Sequence, residues 1–252
     1  MSEPFYRREP YRSILIAVLT ALLTVLGGTQ AVRFGCVPPL QHEKDRKEPE
    51  RKVDPPPATD PQQAVAKIVM RGGYCSATVV GPRRDDRRWS LISAAHCHSV
   101  VGESVTVILR NGFSFPARVV AIDRKSDCSL LVSDEAIDVL PYARIAADIP
   151  EIGSAVFHCG YGVHIPGNRE DGTLVAGEDA NGQLRYLLSV SKGDSGGGIF
   201  LTKTGELLSP VCCTTQLNRP GHVWGASPRS LHKLLSSPTN FLDGAEPVEM
   251  PI

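Results

Sequence analysis

Three short segments carry side chains that could do covalent chemistry. LISAAHCH places His96 at the end of an apolar run, IDRKSDCSLLV places Asp127 at the start of another, and KGDSGG sets Ser195 among glycines. A serine hydroxyl is a weak nucleophile until a base takes its proton. An imidazole is suited to that task because its pKa lies near neutrality. A carboxylate on its other nitrogen fixes the tautomer and stabilises the imidazolium that forms. The tetrahedral oxyanion needs backbone N–H donors, which a glycine just before the serine lets the chain present. Taken singly, each part has a plain reading: a core or surface histidine, a turn aspartate, a glycine loop. The order His, Asp, Ser, each at a strand end, is what joins them. GDSGG also fits the G-x-S-x-G elbow of α/β-hydrolases, but that fold needs the order Ser, acid, His. Asp243 follows both His222 and His232, and Glu206, the sole acid between Ser195 and those histidines, has no supporting pattern.

The elements that must position these residues read as short strands. AVAKIVM, YCSATVVG, WSLISAA, SVTVILR, FSFPARVVAI, CSLLV, SAVFHCG, LRYLLSV, GIFL and LLSPVCCTT alternate with turn signals. Asn111-Gly112 predicts a two-residue hairpin, and Lys203-Thr204-Gly205 a turn between two later strands. Only SLHKLLSS near the end reads as a helix. Many short strands at close spacing indicate an all-β fold of antiparallel sandwiches or barrels.

The 252 residues carry 27 basic and 27 acidic side chains, so no basic excess supports a broad nucleic-acid surface. Residues 1–12 form a basic N-terminal tail. Residues 13–32 read as an apolar helix, either a signal peptide or an uncleaved signal anchor. Residues 33–63 are charged and proline-rich and predict a disordered tether. The folded unit then spans 64–235, with 236–252 as a C-terminal tail.

Region 64–235 resembles the trypsin-like serine proteases. AAHC, with a second cysteine upstream in YCSATVV, is similar to the family's histidine strand. VVAIDRKSDCSLL resembles the bacterial HtrA/Deg branch, in which an earlier aspartate, here Asp123, is common. GSAVFHCGYG resembles the opening strand of the second barrel, and GASPRSLHKLL the closing strand and helix. The resemblance covers some two-thirds of the chain. It implies a double β-barrel of chymotrypsin type with a C-terminal helix. It also implies endopeptidase chemistry through an acyl-enzyme, with Ser195 as nucleophile, His96 as base and acid, and Asp127 as orienter. The N–H groups of Gly193 and Ser195 become the oxyanion hole, and Cys75 and Cys97 a disulfide. Ser189, Val190, Thr214, Gly225 and Ala226 become the substrate pocket. Ser189 stands where a trypsin-type pocket has its carboxylate, so an apolar or small residue is expected at the cleavage site. After Leu235 too few residues remain for the peptide-binding domain that most members of that branch carry.

Several expectations follow. The partner is a protein or peptide substrate, with the membrane reached through the N-terminal segment. The location is membrane-anchored with the protease domain outside the cytoplasm, or secreted if residues 1–31 are removed. No cofactor is implied. No metal is either, because no C-x-x-C or His pair supports a zinc site. Asp194, which in the family pairs with a freed N-terminus, must find another partner, Arg185 or backbone N–H groups. Cys212 and Cys213, read as strand neighbours, should point to opposite faces, so that one could pair with Cys159, a pairing the sequence leaves open. Cys128 reads as a buried thiol. A non-catalytic binding module on a protease fold, or an esterase using the same triad, are the other functions these residues allow.

Overall fold

The computed structural model describes Pro57 and residues 60–82, 86–162 and 169–236. The readings of residues 1–12, 13–32 and 237–252, and of nearly all of the tether, lie outside the described residues. The fold begins at a single 3-10 turn, Pro61–Ala64, where the Asp60 carboxylate accepts the Gln62 N–H at 3.0 Å.

Six antiparallel strands close the first barrel: β1 (Val65–Met70), β2 (Gly73–Pro82), β3 (Trp89–Ser93), β4 (Ser104–Leu109), β5 (Ser114–Asp123) and β6 (Cys128–Ser133). They pair in the order β1-β2-β3-β6-β5-β4, and β1 returns to β4. β7 (Ala155–Cys159), β8 (Arg169–Ala176), β9 (Gln183–Ser189), β10 (Gly198–Leu201), β11 (Leu207–Pro210), β12 (Cys213–Thr214) and β13 (Pro220–Ala226) form a second sheet curved as a half-barrel. Helix α1 (Pro228–Ser236) follows. The all-β double-barrel expectation and its closing helix are what the chain folds into.

The burial of individual strands follows their place in the sheets. β4 and β5 alternate buried and exposed residues, as strands with one wet face do. Every residue of β3 and β6 is buried. Their inner faces fill the first barrel with Leu91 and Leu131. Their outer faces, Ile92 and Leu130, pack with Phe157, Phe200 and Leu231 of the second sheet and helix. The apolar layer between the barrels therefore rests on the two strands that carry His96 and Asp127 at their ends.

Three sequence readings need correction. The hairpin at Asn111-Gly112 spans four residues, 110–113: the Leu109 N–H donates to the Phe113 carbonyl at 2.8 Å, the Gly112 N–H to the Leu109 carbonyl at 3.0 Å, and the Phe113 N–H to the Asn111 side chain at 2.9 Å. β8 carries no strand signal in the sequence: REDGTLVA mixes charges with a glycine, and every residue but Leu174 is exposed or half-buried. LLSPVCCTT is not one strand; the ladder breaks at Val211 and Cys212 and resumes as the two-residue β12.

Candidate active site

β3 and β6 run antiparallel, with Ser93 opposite Ser129. The exit of β3 thus lies beside the entry of β6. His96 sits three residues beyond Ser93, in a single 3-10 turn, and Asp127 two residues before Ser129. The turn from β5 into β6 is tightened by Asp123, whose carboxylate accepts the Lys125 N–H at 3.0 Å and the Ser126 hydroxyl at 2.8 Å. It leaves Asp127 at φ 55°, a left-handed conformation that aspartate tolerates better than most residues. Arg124 braces the histidine loop by donating to the carbonyls of Ala95 and His98, both at 2.6 Å.

Asp127 holds His96 twice. Its Oδ2 lies 2.7 Å from His96 Nδ1, and its Oδ1 accepts the His96 backbone N–H at 2.8 Å. A carboxylate at Nδ1 assigns the ring proton to that nitrogen and leaves Nε2 as the basic one. The Asp127 hydrogen bond raises the His96 pKa above its ordinary value, against the effect of burial. Burial works to raise the Asp127 pKa, yet His96 and the Cys212 thiol outweigh it and hold the carboxyl below its usual range.

Ser195 lies in the loop between β9 and β10. That loop is fastened to the first barrel through one residue of β2. The Ser76 N–H donates to the Ser195 carbonyl at 2.8 Å, its hydroxyl donates to the Gly193 carbonyl at 2.8 Å, and the same hydroxyl accepts the Tyr161 N–H at 2.8 Å. Cys75, next to it, is joined to Cys97, next to His96, by a disulfide. The Ser195 loop and the His96 loop are therefore tied to adjacent residues of one strand. Among the described residues no hydrogen bond joins Ser195 Oγ to His96 Nε2, a contact that often tightens only when substrate is bound.

Gly193 has φ 100°, and a side chain there would meet the Tyr74 ring at 2.7 Å and the Tyr161 carbonyl at 2.9 Å. Glycine takes this conformation without strain, and it sets the turn at Lys192-Gly193. The N–H groups of Gly193 and Ser195 have no protein acceptor among the described residues. Among the described residues Asp194 has no hydrogen bond to Arg185 and takes the backbone alternative: Ser191 donates to its Oδ2 from N at 2.7 Å and from Oγ at 3.0 Å. The buried His158 brings Nε2 to 3.5 Å from Oδ1 and turns Nδ1 to the Gly198 carbonyl at 3.1 Å. Burial acts to raise the Asp194 pKa, but His158 and Ser191 together bring it below the ordinary value.

Beside Ser195 opens a cavity of about 260 Å³. Val190 and Thr214 line it, with Ser191, Lys192, Cys213 and Leu217 among the others. Ser189, Gly225 and Ala226 are not on its wall; Ala226 belongs to the packed layer between the barrels. No acidic side chain lines it.

Residues 75–208, more than half of the chain, match the family of the trypsin-like peptidase domain. The chain belongs to the trypsin-like peptidase family. Among solved structures it is similar to the serine endoprotease from Yersinia pestis, with a TM-score of 0.58 and 21% identity over 69% of this chain and 62% of that one. It is also similar to Rv3671c from M. tuberculosis H37Rv in its inactive serine-to-alanine form, with a TM-score of 0.54 and 20% identity over 74% of this chain and 91% of that one. At such identities the likeness is one of fold. The chain spans 62% of the length of the Yersinia protein. No curated protein matches the sequence.

In this member of the family the site has supporting residues that its motifs do not reveal. Ser76, His158 and Arg124 all act on the site across long stretches of sequence. His158 alone left a trace, a lone histidine within the apolar run of β7. Two expectations about sulfur are corrected. Cys159 is free and buried, and Cys212 and Cys213 turn their sulfurs toward each other, 3.2 Å apart. The strand geometry that separates neighbours does not apply, because β12 begins only at Cys213. Cys128 is a buried free thiol, with burial pushing its pKa up to about 12.

Proposed function

We propose that the chain is a serine endopeptidase with Ser195 as nucleophile, His96 as general base and acid, and Asp127 as the residue that orients it. The observation that carries this reading is the double grip of Asp127 on His96, at 2.7 Å on Nδ1 and 2.8 Å on the backbone N–H. With Nδ1 protonated, Nε2 takes the Ser195 proton as Oγ attacks the scissile carbonyl. The imidazolium so formed faces the Asp127 carboxylate. The free N–H groups of Gly193 and Ser195 receive the oxyanion. His96 returns the proton to the leaving amine, and water releases the acyl group by the same steps in reverse.

The cavity without acids favours a small or apolar residue on the acyl side of the cut. The Cys75–Cys97 disulfide supports an oxidising compartment, and export or tethering through residues 13–32 fits that setting. Among the described residues no helix is long and apolar enough to cross a membrane. A fluorophosphonate probe tests the enzyme reading directly. The wild-type chain should be labelled and Ser195→Ala should not; equal labelling of the two, or none of either, removes the nucleophile. Turnover of matched peptide and ester substrates then separates a peptidase from an esterase.

A further inference from the structure

Two thiols share the wall of the cleft, and the acyl-transfer chemistry uses neither as a nucleophile. After β11 the chain leaves the ladder, and the Cys212 N–H donates to the Trp224 carbonyl at 2.8 Å before β12 opens. Both Sγ atoms come to the same side, 3.2 Å apart, and both residues line the cavity that holds Ser195. Cys213 is exposed and Cys212 buried. The sulfur of Cys212 is pinned by the Gln183 side-chain amide at 3.4 Å, which also donates to the Ser126 carbonyl at 3.1 Å. The arrangement is a rigid bite with one accessible sulfur and one behind it. The other described cysteines offer nothing similar: Cys75 and Cys97 are joined, and Cys128 and Cys159 are buried.

The two thiols differ in character. Donation from the Cys212 thiol lowers the Cys213 pKa to about 7, with burial and Asp127 opposing. The same donation, with burial and Asp127 beside it, pushes the Cys212 thiol far up. A thiolate is the reactive form of cysteine, and thiolates are soft ligands.

We propose that Cys212 and Cys213 form a dithiol site in the cleft wall that captures soft electrophiles of the trivalent-arsenical class through both sulfurs. With phenylarsine oxide, Cys213 attacks arsenic first and Cys212 follows. Two As–S bonds form, the arsenic–oxygen bond breaks, and the oxygen leaves as water with the two thiol protons. Nothing is oxidised or reduced. The sulfurs already face each other, so little side-chain freedom is lost on closing the chelate. The bound group occupies space beside Ser195 and removes the Cys212 thiol proton from the neighbourhood of Asp127. That consequence for Ser195 rests on the proposed function; the capture itself does not.

The test uses the full chain and phenylarsine oxide, read by intact mass. One adduct should form on the wild type, resist a monothiol, and be released by a small dithiol. It should be lost in Cys213→Ser, a change at an exposed position whose fold is checked by thermal melting. No adduct on the wild type, or the same adduct on Cys213→Ser, overturns the site. Fluorophosphonate labelling of Ser195 is then measured with and without the arsenical. Loss of labelling in the adduct supports the blocking of the cleft, and unchanged labelling of adducted protein overturns it. A chain that never labels overturns the peptidase reading, while the mass measurement still decides the dithiol site.

Discussion

At the scale of single residues, the double grip of Asp127 sets both the geometry and the acid–base behaviour of His96. A base must be neutral to work, so kcat/KM should fall as pH drops through the His96 pKa. The Asp127 hydrogen bond raises that pKa, which puts the acid limb above the ordinary imidazole value of about 6.5. Asp127→Asn should lower kcat by on the order of 10⁴-fold and shift the acid limb to lower pH. A pH–rate profile on a peptide substrate measures both, and an acid limb that stays in place detaches Asp127 from the role. The contact of His96 with Asp127 was legible because each sits in a short motif beside a strand end, those of β3 and β6. The supports of the Ser195 loop were not. Ser76 reaches the Ser195 loop at Gly193, 117 residues away, and His158 reaches it from β7 at Asp194. A buried serine has no pattern of its own, and only the fold tells which carbonyl it will meet.

The element that deserves a separate test is the loop leaving β3. His98 is buried there with both ring nitrogens unpartnered, and Glu103 stands 4.0 Å from Nδ1. Burial lowers its pKa to about 4, with Arg124 and His96 adding to the effect and Glu103 opposing it. The folded chain then binds fewer protons than the unfolded one between about pH 4 and 6.5, so stability rises with pH through that window. The size is about 3 kcal/mol for a shift of this kind. His98→Leu should flatten the dependence of Tm on pH between those limits; an unchanged slope assigns it to other groups. Element by element, strands with clean alternation or a continuous apolar run were legible, β4, β5 and β6 among them. β8 and β12 were not, because their places in the sheet come from pairing with neighbours rather than from their own composition. The break at Cys212 belongs to the same class: the loop leaving β11, not the residues' propensity, decides which way the sulfurs turn.

For the molecule as a whole, the two barrels pack on β3 and β6, and the cleft beside Ser195 is walled by residues between 190 and 217 of the second. Its cavity is small and free of acids, so a peptide library should show cuts after apolar or small residues over cuts after Lys or Arg by roughly tenfold or more in kcat/KM. A basic preference would place the specificity pocket elsewhere. The two-barrel plan was legible from the count and spacing of strands together with the family's motifs. The hydrogen-bonded tie that Ser76 makes between the barrels, beside their apolar layer, was not. The Ser76 backbone N–H is bonded across to the second barrel's Ser195 carbonyl at 2.8 Å. That amide proton exchanges with solvent when the Ser195 loop lifts away from β2, which makes it a natural clock for that opening. Deuterium uptake at Ser76 should slow when an inhibitor bridges the cleft, while amides in the outer hairpin of β4 and β5 keep their rates.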